Sequence, residues 1–165
     1  MYCYGQKYLL DSSQTHAYVK LTTYPFLIPR TENNLGGSFA FGPCISISGE
    51  KLEMQLGILY DITKYKGWHH PLHTVSSPIG YHRWYLPVIF NYYFRISETI
   101  KCFPSFGGGF LSSGESNNSR GWLFVGGGIS HKVSEKIKIS ATIHERLSSD
   151  EYSQGAFFEI AYQLN

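Results

Sequence analysis

The stretch KLEMQLGILYDIT, residues 51–63, changes character at almost every step. Leu52, Met54, Leu56, Ile58, Tyr60 and Ile62 are apolar, and between them stand Glu53, Gln55, Gly57, Leu59, Asp61 and Thr63, mostly polar or small. A period of two marks a strand, because successive side chains point to opposite faces. Which face meets the surroundings decides the architecture. A soluble sheet buries the Leu–Met–Leu–Ile side in a core, whereas a membrane barrel turns that side to lipid.

The whole chain reads as strands punctuated by turns, with no sustained helical periodicity. Strands are predicted at about 18–28, 37–47, 51–63, 81–96, 100–111, 121–133, 136–147 and 155–164. The connections alternate: long, short, long, short, long, short, long. SGEK, SET and SE are the tight turns, and 64–79 and 112–120 are the most conspicuous long loops. An up-and-down antiparallel barrel gathers tight turns at one end and long loops at the other, as bacterial outer-membrane barrels do. The strand lengths also suit the roughly 9–11 residues that cross a bilayer at a tilt. The fold expected is therefore all-β: an eight-stranded antiparallel up-and-down transmembrane β-barrel.

Composition supports the membrane option. The chain has 165 residues, enough for one domain with a real core. Charged residues are only 16% and aromatics also 16%, with 13 Tyr and 17 Gly. Ordinary soluble domains carry roughly 25% charge, so this sequence is short of material for a soluble exterior. A net charge of +2 gives no support for nucleic-acid binding. No apolar run approaches the roughly 18 residues of a membrane helix, so any spanning structure must be a barrel.

Strand 136–147 shows which face is wet. Lys136, Lys138, His144 and Arg146 share one face, opposite Ile137, Ile139, Ala141 and Ile143. An Arg or Lys turned to lipid costs roughly 2–4 kcal/mol at the bilayer midplane, so the charged face must point inward. The polar faces carry few charges in mid-strand, and Tyr60, Trp84, Tyr92 and Tyr162 sit near the ends of the apolar faces like an interfacial girdle. The interior of an eight-stranded barrel is just wide enough for side chains. Small residues and paired charges are expected to fill it better than rings of Phe and Leu. An inward charge network follows: Glu53, Asp61, Arg83, Arg95, Lys138, His144, Arg146 and Glu159. Glu53 with Arg95 and Asp61 with Arg83 fit one register within a diagonal neighbour. His144 with Glu159 and Lys138 with Gln163 fit a second. Such a plug leaves no room for a water column, so no open pore is expected.

Cys44 is placed inward, Cys102 outward and Cys3 near the start, so no disulfide framework is expected. The opening MYCYGQKY is too short for a secretion signal but resembles the tail of one, with Gly5 before Gln6 as a cleavage site. Residues 1–17 read as a signal-peptide remnant and N-terminal stub, and 18–165 as a single barrel domain.

RWYLPVIFNYYFRISETIKCFPSFGGGF (83–110) resembles the strand–turn–strand hallmark of small outer-membrane barrels common in Bacteroidetes, in which a YLxIPL-like strand precedes a short turn and a Gly-rich strand. GWLFVGGGISHKVSEKIKISATIHERL (121–147) and FFEIAYQLN (157–165) resemble further pieces of the same family, which includes PorT-like proteins. The likeness covers about 37–165. It implies an outer-membrane location, and the alternation of connection lengths places the short turns in the periplasm and the long loops outside the cell. The partners it implies are outer-membrane lipid and, for an accessory subunit, other envelope proteins, including those of a secretion complex. One departure is the ending YQLN, where such barrels often finish on an aromatic; Tyr162 or Leu164 would have to serve.

Motifs that carry chemistry are few. WHHPLH (68–73) places His69, His70 and His73 in a loop, a spacing that can bind zinc or copper if the loop folds around the ion. The motif has no carboxylate, and a solvated loop is the plainer reading. His144 and Glu145 face opposite sides of a strand and cannot act as an acid–base pair. The glycine runs 107–109 and 126–128 precede no helix, so they are not phosphate loops; they give strands freedom to bend and the interior room. No catalytic residue, cofactor or metal is assigned, and the chain is not expected to be an enzyme. Two rivals remain: a soluble lipocalin-like barrel with a small apolar ligand, and an outer-membrane barrel enzyme acting through loop residues.

Overall fold

Alternating side chains and short turns build eight antiparallel walls. The computed structural model describes residues 15–30, 34–65, 79–113, 120–147 and 152–164. We number the walls in chain order: β1 is His16–Arg30 and β2 is Asn34–Ser48. β3 comprises Leu52–Gly57 and, past Ile58, Leu59–Tyr65; β4 comprises Ile79–Tyr92 and, past Tyr93, Phe94–Arg95. β5 is Ile100–Ser113, β6 is Arg120–Lys132, β7 is Ile137–Leu147 and β8 is Tyr152–Gln163. Each strand pairs with the next, and β8 closes onto β1 through pairs such as Thr22 with Glu159. β1 begins two residues before the expected start of the barrel. The stub up to residue 14 lies outside the described residues.

Proline explains where the hydrogen-bonded ladders break. A strand residue's N–H serves one neighbouring strand only, so a proline silences one ladder and leaves the other intact. The four interruptions among the described pairings fall at Pro25 (β1–β8), Pro43 (β2–β3), Pro87 (β3–β4) and Pro104 (β4–β5). On their other sides Pro25 pairs with Phe39, Pro43 with Leu21, Pro87 with Gly109 and Pro104 with Gly127. The register does not shift across these gaps. Ile58 N still donates to Pro43 O at 3.1 Å, and Tyr93 N to Lys51 O at 2.7 Å.

The registers also set the tilt. Stepping across paired residues from His16 through Ser48, Glu53, Asn91, Ser105, Gly126, His144 and Gly155 returns the path to β1 at Phe26, ten residues beyond its start. With strands spaced by about 4.8 Å and rising about 3.3 Å per residue, that stagger tilts them by about 40°. On β4 the outward run from Trp84 through Leu86, Val88 and Tyr92 to Phe94 is exposed. At that tilt it spans about 25 Å along the axis, the height of a transmembrane apolar band.

Burial follows the pleat. On β7 the even-numbered residues from Ser140 to Arg146 are buried while their odd-numbered neighbours are exposed. On β2, Cys44, Ser46 and Ser48 are buried between exposed Ile45 and Ile47. Cys44 is buried, Cys102 is half-buried, and both are free thiols.

Candidate functional site

The interior has two levels. At the tight-turn end, Lys20 of β1 reaches across the lumen to β3, where its Nζ lies 2.5 Å from Glu53 Oε1 and 2.6 Å from Gln55 Oε1. The same ammonium lies 3.2 Å from Glu159 Oε2 on β8. Lys138 Nζ, from β7, sits 2.7 Å from Glu53 Oε2 and donates to Tyr93 Oη at 3.3 Å. The remaining carboxylate lone pairs are also met. Asn91 Nδ2 donates to Glu53, and Gln55 Nε2, Thr22 Oγ1 and Ser140 Oγ donate to Glu159. Lys138 also stands over the Tyr18 ring at 4.7 Å and the Tyr93 ring at 5.1 Å. Two ammoniums and two carboxylates thus neutralise one another in a site where Lys20 and Glu53 are 1% and 0% exposed. Buried ions persist only with this degree of pairing and hydrogen bonding.

Above it, toward the long-loop end, the lumen is closed by rings. Tyr24 stacks on Phe157 at 3.5 Å, and Tyr85 on Trp122 at 4.4 Å. The two stacks meet through Tyr24 and Tyr85, whose centroids are 6.0 Å apart. His144 packs edge-on to Phe124 and Phe157 at 4.6 and 4.5 Å. The glycine runs make this possible. None of the described glycines has positive φ, so what matters here is close approach. A Cβ at Gly107 would lie 2.7 Å from Phe124 Cζ, and one at Gly109 would lie 2.7 Å from Trp122 Cζ2. The expectation that small residues and charges fill the lumen in place of rings is therefore corrected for this half. Glycine on β5 leaves the space that a ring on β6 occupies and lets the β4 backbone approach closely at Val88 O and Leu86 O.

Glu53, Asp61, His144, Arg146 and Glu159 are buried, and Lys138 and Arg83 are half-buried. Asp61 pairs directly across from Arg83, with Arg83 Nε 3.8 Å from Asp61 Oδ2. Arg146 lies 5.9 Å from the Trp122 ring. Three expected pairings are corrected by the registers. Glu53 lies opposite Asn91, so Arg95 falls four residues too low; it is exposed at the rim and donates Nε to Ser97 O at 3.3 Å. His144 lies opposite Gly155, and Glu159 opposite Ser140. Lys138 lies opposite Ala161 in place of Gln163. Register pairs neighbours along the sheet, but in so narrow a barrel long side chains meet across the lumen.

Lys20 was missed, although Val19 and Leu21 flank it in the same alternation that marks the other strands. His144 Nε2 lies 3.3 Å from Ser105 Oγ. Both residues are 1% exposed, so this Ser–His contact is sealed from substrate. Glu145 is exposed on the opposite face from His144. His69, His70 and His73 lie outside the described residues.

No family model matches the sequence, and no curated protein matches it. Solved structures do match. The N-terminal β-barrel domain of Pseudomonas aeruginosa OprF is similar with a TM-score of 0.65 at 12% identity, over 92% of this chain and 98% of that one. Neisserial surface protein A matches with a TM-score of 0.64 at 14% identity, over 90% and 97%. Ail, the attachment invasion locus protein of Yersinia pestis, matches with a TM-score of 0.56 at 15% identity, over 92% and 99%. The fold is that of the small eight-stranded outer-membrane barrels.

Proposed function

We propose that this chain is an integral outer-membrane barrel with a closed interior, one that conducts nothing and carries no catalytic site. It acts as a structural or adhesive element of the envelope, or as an accessory subunit of a larger envelope complex. The observation that carries the reading is the neutral Lys20–Glu53–Glu159–Lys138 cluster, which spans the lumen beneath a layer of stacked rings. The exposed outer surface of Ile, Leu, Val and Phe favours lipid over the soluble lipocalin-like alternative. Ail, a similar barrel, has been solved in complex with the heparin analogue sucrose octasulfate, which favours the adhesive role among the three. Within the class, the motifs at 83–110 and 121–147 favour the PorT-like barrels of Bacteroidetes.

Planar-bilayer recordings of the purified protein test the closed interior: no stable conductance is expected, and a persistent open channel overturns it. Orientation follows from the turns, with 48–50, 97–99 and 134–135 periplasmic and 64–79 and 112–120 outside. A cysteine placed at His73 should be labelled on intact cells and one placed at Glu50, exposed in the β2–β3 turn, should not. The reverse pattern would invert the topology.

A further inference from the structure

The outer surface is not uniform. Between β4 and β6, on the outward side of β5, lies a groove of about 790 Å³ walled by Phe90, Phe106 and Phe110 on one side and by Leu123 and Leu147 on the other. Its floor is bare backbone at Gly107–Gly109, and Gly121 lies toward the long-loop end, where a Cβ would meet nothing within 4 Å. Phe90 and Phe106 stack at 5.4 Å and end the groove at mid-belt. The wall is so thin here that the inward Trp122 also lines the groove.

We propose that this groove seats one acyl chain of a bilayer lipid. The proposal rests on the outward face being the lipid face. Val88 and Phe90 place the groove within the span from Trp84 to Phe94, at hydrocarbon depth. No charged or hydrogen-bonding side chain lines it apart from the indole, so it suits a hydrocarbon occupant. Lipid is the solvent at that depth. A partner protein would first have to displace tails as apolar as its own side chains, with no hydrophobic gain. A hydrocarbon chain also matches a recess that is apolar and open on the outward face.

Bilayers of phosphatidylcholine brominated at mid-chain provide the probe, because bromine quenches indole at short range. Two proteins are compared, one keeping only Trp84 (W68F/W122F) and one keeping only Trp122 (W68F/W84F). Trp84 is outward and 53% exposed, so it reports embedding alone. Trp122 is 5% exposed and should be quenched only because the groove brings a chain against the wall. Gly121→Leu, which fills open space, should remove most of the Trp122 quenching, with the smaller Gly121→Ala intermediate. Gly127→Leu, outside the groove and with only Phe103 O at 3.4 Å from the new Cβ, should leave quenching unchanged. Heat-modifiable migration establishes that each variant is folded.

Quenching of Trp84 with none of Trp122, or full Trp122 quenching in Gly121→Leu, overturns the site while leaving the membrane reading intact. Quenching of neither overturns the membrane reading itself. Loss of Trp122 quenching on dimerisation would assign the groove to a second copy and overturn the lipid occupant.

Discussion

The two halves of the lumen fill the same space by opposite chemistry. At the tight-turn end, side chains are held by charge and hydrogen bonds, and each ion depends on partners from other strands. At the long-loop end, the packing is chiefly ring on ring and ring on glycine, with the Asp61–Arg83 pair and Arg146 at its edge. A defect in the first half leaves an uncompensated ion, whereas a defect in the second leaves a misfit of volume. The ionic half should therefore be intolerant of single changes yet tolerant of wholesale replacement.

The largest effect is expected at Glu53. Glu53→Ala leaves Lys20 and Lys138 short of a buried carboxylate, and breaking such a pair from one side costs about 3–5 kcal/mol. Urea unfolding in lipid vesicles measures it. Replacing Lys20, Glu53, Lys138 and Glu159 together by Met and Leu should recover most of that loss, because a well-packed apolar substitute for buried ions is often neutral. If the fourfold variant is less stable than Glu53→Ala, the contrast between the halves collapses.

A smaller effect is expected from overpacking the aromatic half. Gly109→Ala sets a methyl 2.5 Å from Leu86 O and 2.7 Å from Trp122 Cζ2, an insertion of the kind that costs about 1–3 kcal/mol. Near-UV circular dichroism should change with it, since Trp122 stacks on Tyr85. An unaltered spectrum and an unaltered unfolding midpoint would mean that the glycines are not there to make room for rings.

The smallest effect lies outside both halves. In the β6–β7 turn, the hydrogen bond from Lys132 and its charge hold the exposed Glu135 carboxyl below its ordinary range. A depressed carboxyl stabilises above its unfolded pKa, and that contribution fades as pH falls through the folded value. For so exposed a pair solvent screening leaves little. Glu135→Gln should therefore leave the unfolding midpoint unchanged at neutral pH and at pH 4. A clear shift at neutral pH would show that the turn is coupled to the charged cluster.

The strands and the facing of their side chains were legible because both follow from a period of two and from alternating connection lengths. Register was not, and the reason is specific. A slip of one residue flips every side chain to the wrong face, but a slip of two keeps the faces correct. Facing therefore fixes register only to even steps. The misplaced pairs Glu53–Arg95, His144–Glu159 and Lys138–Gln163 are all out by even steps. The aromatic half was hidden for another reason. In GWLFVGGG, Trp122 and Phe124 point inward and Leu123 and Val125 outward, yet all four are apolar and show no alternation. Only the glycines opposite them, on β5, hinted that rings needed space.

The inside-out arrangement itself is tested most directly by NMR of the protein in lipid nanodiscs, reading nuclear Overhauser effects from assigned side chains to acyl chains and to water. The outward methyls of Ile139, Ile143 and Ile160 should show contacts to lipid tails, while the buried Thr22 and Thr142 methyls show contacts to neither tails nor bulk water. Lipid contacts at Thr22 or Thr142, with none at the three isoleucines, would contradict it.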